Sequence, residues 1–554
     1  MHHRNRRARR AVATLSIALA AAGVAAVAVP GVASANDPQP EVRARIIDGR
    51  LLVRGGDAGE VLALRSPAAL PTTIDVDLGN DGVADVTFQR SLISSVDVRA
   101  GGGDDTVLID ETAGVGVPFT DTIPTTINGQ DGDDLLLGGS GAENFHGGRD
   151  NDVVDGNRGN DTATLDAGDD EFIWDPGDGS DTIEGKSGSD LMTFNGAGGN
   201  ENFAFVDNGG RLRFTRNVGN IVMDTNKVER VTVNALGGTD LVEIDDLART
   251  DVTTIDIDEG LTLGAAGGDG VVDSVFVDGT EYDDDVAISG SAGSVSITGL
   301  AATVNITDAE TIDRLLFAAL GGDDRIDASL LGADTMHLDL LGGDGDDTLL
   351  GGDGAENFLA GAGNDFVDGN RGNDTADLEA DDDEFLWDPG DGSDIVEGRD
   401  GYDVMTFNGS GGDEIFATTA IGDRMAFTRN LGNIFMDTND VEAIDLRALG
   451  GADQLTAGDA TGTELVALYA DLAPTIGGAG GDGLIDSITV LGTPGDDTIS
   501  VTGANGAVQV AGLASTLDVT NADPTDRLTV TGNGGTDTID SAGLAAGTIE
   551  LTIN

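Results

Sequence analysis

The sequence predicts an all-β fold, a β-solenoid of short strands and glycine turns built as two tandem modules of about 213 residues. Three observations predict it. The first is duplication: "DGNRGNDTA" begins at Asp155 and again at Asp368, "WDPGDGSD" at Trp174 and Trp387, and "FTRN" at Phe214 and Phe427, always 213 residues apart. The second is a shorter period: from Gly129 and from Gly342 the chain reads as seven consecutive nonapeptides, fourteen in all. The third is alternation of apolar and polar residues in the intervening stretches, such as "VSITGLAATVNIT" at 295–307, which has the period of a half-buried strand.

The segments follow in order. Residues 1–35 hold five arginines, then the apolar run "AVATLSIALAAAGVAAVAV", then small residues at Ala33-Ser34-Ala35. This is the form of a secretory signal peptide cut before Asn36; an uncleaved anchor is the alternative, because the apolar run nearly reaches spanning length. The mature chain is expected to be secreted, with association at a cell surface as a variant of that reading. Residues 36–128 are an N-terminal β segment. Its "DVDLGNDGVAD" places Asp75, Asp77, Asp81 and Asp85 close together, but Gly79 stands where an EF-hand loop needs an acid. Ile74, Val76 and Leu78 alternate with the acids instead, which predicts a strand with an acidic outer face.

Residues 129–193 and 342–406 carry the nonapeptides. From Gly342 they read GGDGDDTLL, GGDGAENFL, AGAGNDFVD, GNRGNDTAD, LEADDDEFL, then, after Trp387-Asp388, PGDGSDIVE and GRDGYDVMT. Glycine allows a tight turn and close stacking of one turn on the next. A fixed Asp adds a carboxylate beside exposed carbonyls, the hard oxygen set that calcium takes in groups of six to eight. The residues after it make a very short strand with one inward side chain. The eighth-position residues are all apolar: Leu136, Phe145, Val154, Ala163, Phe172, Ile183 and Met192, then Leu349, Phe358, Val367, Ala376, Phe385, Val396 and Met405.

This pattern resembles the RTX, or haemolysin-type, calcium-binding repeat family, whose unit is G-G-x-G-x-D-x-U-x with U apolar. The nonapeptide resemblance covers 129–193 and 342–406, and the remaining segments resemble secreted bacterial calcium-binding proteins that carry such repeats. The resemblance implies a parallel β-roll with two nonapeptides per right-handed turn and Ca2+ between stacked turns. Carried over by position, it implies Asp134, Asp152, Asp161, Asp170, Asp181 and Asp190 as metal ligands in the first module. In the second it implies Asp347, Asp365, Asp374, Asp383, Asp394 and Asp403. Glu143 and Glu356 stand where Asp is expected, and their extra methylene displaces the carboxylate, so they stay outside the ligand set. The fifth nonapeptide lacks its opening glycine pair in both modules, which makes the Asp170 and Asp383 sites the weakest. Fifth-position acids such as Asp133, Asp346 and Asp382 read as solvated.

Residues 194–341 and 407–554 read as solenoid coils continuing from the rolls, with a β-sandwich as the alternative that the same alternation would serve. A looser motif, A-x-G-G-x-D or A-L-G-G-x-D, recurs at Ala100, Ala235, Ala319 and Ala448. Its Asp240, Asp324 and Asp453 are read as plain turn residues, with calcium ligation as the alternative. Trp174 and Trp387 are the only tryptophans and occupy matched positions; a plug over the insert is the expected role and a sugar-stacking platform the alternative.

Charge bounds the function. Asp and Glu number 100 against 29 Lys and Arg, a formal net charge of −71, which argues against nucleic acid or an anionic membrane as partner. A chain so acidic risks disorder, yet 39% of it is hydrophobic, so a positive partner, calcium ions, is what the sequence is missing. Cysteine is absent, and no HExxH, G-x-S-x-G or phosphate loop in proper register is present. The expected function is that of a secreted, calcium-stabilised repeat protein with a structural or surface-interaction role and no catalysis, its surface partner a glycan or protein. The alternative is a calcium-dependent enzyme acting on polysaccharide from a β-helix.

Overall fold

The computed structural model describes residues 43–67, 72–111 and 118–554. The expected signal peptide lies outside these residues. The described chain folds into two long sheets of 24 strands each, stacked face to face around one hydrophobic core.

Each coil of the rolls gives one strand to each sheet. One sheet receives Glu143–Arg149, Thr162–Ala167 and Thr182–Ser187, paired in parallel with Phe145, Ala163 and Ile183 in register. The other receives Leu135–Leu137, Val153–Asp155, Glu171–Trp174 and Leu191–Asn195, with Leu136, Val154, Phe172 and Met192 aligned. The eighth-position residues therefore stack in two apolar columns facing each other. None of the fourteen is more than 1% exposed. Parallel sheets need both faces or a closed core to be buried, and one inward side chain per short strand is enough here because the two columns cover each other.

Residues 194–341 and 407–554 add strands to the same two sheets, so they are solenoid coils and not a sandwich between rolls. They are not purely parallel. Asn202–Asp207 is laid forward, pairing in parallel with Leu241–Ile244. Leu212–Arg216 and Ile221–Asn226 then run back as an antiparallel meander, and the last of them pairs in parallel with Thr182–Ser187. Ile415–Ile421, Arg424–Arg429 and Ile434–Asn439 repeat this in the second module. Similar meanders enter the other sheet at Asp285–Thr307 and Thr498–Thr520.

Trp174 and Trp387 are fully buried. Each stacks on a phenylalanine, Phe194 at 4.0 Å and Phe407 at 3.9 Å, under the guanidinium of Arg216 or Arg429. Their indole N–H groups donate to the Gly179 and Gly392 carbonyls. The rings plug the core where Trp-Asp lengthens the coil, and no ring face is left for a sugar. The N-terminal acids differ from expectation in one respect. Thr73–Leu78 is a strand, but Asp77 is fully buried beneath it, pairing with Arg65 and accepting N–H groups from Asp81 and Gly82. The turn that follows folds back over this side chain, so the acidic face is only partly outward.

Candidate metal centres

The turns between the sheets bring the sixth-position acids into register, one above another. The backbone N–H of Asp134 donates to Asp152 Oδ1 at 2.9 Å, that of Asp152 to Asp170 at 2.7 Å, and that of Asp170 to Asp190 at 3.1 Å. On the opposite edge Glu143 N–H reaches Asp161 and Asp161 N–H reaches Asp181, both at 2.7 Å. The second module repeats the two ladders through Asp347, Asp365, Asp383 and Asp403 and through Glu356, Asp374 and Asp394. One carboxylate oxygen of each rung is thus spent on holding the neighbouring coil.

The second oxygen is not spent. None of the twelve aspartates is more than 2% exposed. In all of them except Asp394 the buried Oδ2 has no hydrogen-bond partner. Unpaired buried polar atoms are rare and costly. Here they recur at one register and point to one place. A Cβ built on Gly147 would lie 2.5 Å from both Asp152 Oδ2 and the Leu165 carbonyl of the next coil. The same overlap arises at Gly129 with Asp134 and the Gly147 carbonyl, and at Gly342 with Asp347 and the Ala360 carbonyl. The bare α-carbon leaves a cradle lined by a carboxylate and a carbonyl. Glycine leaves the most room there, although other coils carry Leu165, Ala360 or Leu378 at the same position.

Burial pushes these carboxyls up, and neighbouring acids push further while the backbone N–H pulls down. Asp161 and Asp374 rise to about 9, Asp152 and Asp383 to about 8. Asp170, Asp181 and Asp347 rise to about 7. Asp134, Asp190, Asp365, Asp394 and Asp403 rise to about 6. A cation at the cradles would reverse this, since an opposite charge favours the ionised form. Among the described residues no three His, Cys, Asp or Glu side chains gather around a single point. The donors that line the cradles are carboxylate and backbone carbonyl oxygens, a set that suits calcium and not zinc.

The structure extends the ladders beyond the nonapeptides. Asp240, Asp324 and Asp453, expected as plain turn residues, accept the N–H groups of Glu201, Asp284 and Glu414, and their Oδ2 atoms are likewise buried and unpaired. They are rungs because each immediately precedes a strand that stacks in register with its neighbours. Asp105, the acid of the motif at Ala100, is a rung too, and Asp273, Asp313, Asp486 and Asp526 are rungs that the glycine motif did not single out. The signal that finds them is an acid directly before an x-U-x-U strand, as in "DTVLI", "DSVFV" and "DRLLF". Glu143 and Glu356 start their ladders, and each longer side chain folds back to accept an N–H of its own turn, from Gly139 or Gly352. Asp170 and Asp383 sit in the ladder like the rest despite the missing glycine pair. Asp133, Asp346 and Asp382 are exposed and form an outer ladder, each accepting the N–H of the coil above.

The family model of the RTX calcium-binding nonapeptide repeat (4 copies) matches residues 126–142, 137–172, 175–200, 339–367 and 350–385. The chain carries RTX calcium-binding repeats. Those matches fall on the stacked turns just described, and they lie in both modules. A search of curated proteins found no match. The RTX turns here bring an orphan carboxylate oxygen beside a backbone carbonyl, donors of the kind calcium takes.

Proposed function

We propose that the chain is an exported, non-catalytic protein whose β-solenoid is locked by calcium at the sixth-position aspartates. The observation that carries this reading is the regular array of buried, unpartnered Oδ2 atoms, which at Gly129, Gly147, Gly156, Gly185, Gly342, Gly369 and Gly398 lie against bare glycines. Calcium supplies the positive charge that a chain of net charge −71 lacks. The ligands are Asp134, Asp152, Asp161, Asp170, Asp181 and Asp190, with Asp347, Asp365, Asp374, Asp383, Asp394 and Asp403. Binding free energy at such sites becomes folding free energy, because the unfolded chain has no preassembled cradle. Export is supported by the basic, apolar and small-residue order of residues 1–35. A structural or surface-interaction role is supported by the way half-buried carboxyls recur at matched positions of both modules, as with Asp155 and Asp368 or Asp178 and Asp391. That recurrence marks a repeated building device, whereas a catalytic pair would single out one cleft.

Circular dichroism in EDTA and across a calcium titration tests this. The β spectrum and the melting temperature should rise together at roughly 10⁻⁴–10⁻³ M calcium, the range of extracellular modules. An unchanged spectrum and melting temperature would sink the proposal.

A further inference from the structure

Glu259 occupies a turn position that is glycine at Gly196 and in many of the nonapeptides. Strand register aligns Asn195, Asn234 and Asp258 on successive coils, so Gly196, Ala235 and Glu259 follow one another up the stack. Their N–H groups confirm the alignment, donating to the carbonyls of Asn234, Asp258 and Thr307. A Cβ on Gly196 would lie 2.6 Å from Glu201 Oε2 and 2.8 Å from the Ala235 carbonyl. A side chain at this position therefore enters the oxygen-lined side of the turn.

Glu259 sends a carboxylate there. It is 2% exposed, and its Oε2 has no hydrogen-bond partner. Asp240, Asp269, Asp273 and Asp313 lie within electrostatic reach. Most of their oxygens are already engaged. Asp240 Oδ1 accepts from Glu201, Asp273 Oδ1 from Asp240, and Asp313 from both Asp273 and Glu310. Asp269 accepts from Gly238 and Val271. Asp240 Oδ2 is buried and unpartnered, like Glu259 Oε2. Arg216, the cation that Asp240 feels, is paired with Glu201.

The second module provides an internal comparison. There Gly409, Ala448 and Leu472 fill the same three positions, and Leu472 is 3% exposed. The same turn is thus built with an apolar side chain, so the fold has no need of a buried acid at this point. An unpaired buried carboxylate costs free energy unless something neutralises it.

We propose that Asp240 and Glu259 together hold a divalent cation of the calcium class, at a site peculiar to the first module and outside its nonapeptides. The two orphan carboxylate oxygens supply the charge, and turn carbonyls complete an oxygen shell. The proposal rests on calcium being the ligand of the turn ladders. Isothermal titration of the full chain with calcium tests it, comparing wild type with Glu259→Leu, which installs the second module's residue, and Glu259→Gln, which keeps the shape. Each variant should bind one calcium fewer, and calcium should raise its melting temperature less than it raises that of wild type. Unchanged stoichiometry and affinity in both variants would overturn this site alone. If wild type binds no calcium, the ladder reading falls and this site with it. Should Glu259→Leu lose its β spectrum, the Gln variant decides by the same count.

Discussion

At the scale of the residue, each ladder aspartate does two separate jobs with its two oxygens. Asp152 Oδ1 holds the Asp134 N–H, while its Oδ2 faces the cradle at Gly147. Substitutions separate the jobs. Asp152→Asn keeps an acceptor and removes the charge, so in EDTA it should be at least as stable as wild type while its calcium stoichiometry drops. Asp152→Ala leaves the Asp134 N–H buried and unsatisfied, which costs about 1–3 kcal/mol. Urea unfolding in EDTA should therefore rank Asn above Ala by that margin. Equal stability of the two variants would remove the structural half of the assignment. Much of this level was legible in sequence. A fixed register through fourteen repeats located the twelve aspartates and the fourteen core residues. It did not locate Asp273 or Glu259, because their turn is longer than nine residues and breaks the nonapeptide register.

At the scale of the element, the turn is what the sequence specifies most tightly. Gly129, matched by Gly342 in the second module, is present for space, because a Cβ there would sit where oxygens converge. Gly129→Ala should destabilise the chain by about 1–3 kcal/mol, as overpacking does, and should weaken calcium binding as well. Gly199→Ala is the control: nothing lies within 4 Å of a Cβ there, so its effect should stay within about 0.5 kcal/mol. Thermal melts with and without calcium check both, and a tolerant Gly129 would mean that the cradle is not a binding element. The meanders were not legible. Alternating apolar residues suit a parallel coil, an antiparallel hairpin or a sandwich equally well. What selects the meander is where each strand finds a partner, with Asn202–Asp207 stepping forward and Ile221–Asn226 returning. That is a property of the stack and not of any one segment.

At the scale of the whole molecule, the ladders make stability depend on pH in an unusual direction. An ordinary Asp has a pKa near 3.9 when unfolded, whereas in the calcium-free fold Asp161 and Asp374 are pushed to about 9 and Asp152 and Asp383 to about 8, chiefly by burial. Between those limits the folded state binds more protons than the unfolded state. Stability must then fall as pH rises. The loss begins just above pH 4 and continues through about pH 6 to 9 as successive rungs titrate. In EDTA the melting temperature should therefore be higher at pH 5 than at pH 8. Calcium replaces the proton as the neutralising partner, so in saturating calcium the profile should flatten or reverse, and binding near pH 6 should release protons. Melting curves at both pH values, together with titrations in two buffers of different ionisation enthalpy, measure these effects. A calcium-free melting temperature that rises steadily from pH 5 to pH 8 would show that the buried carboxylates find neutralising partners other than protons and calcium.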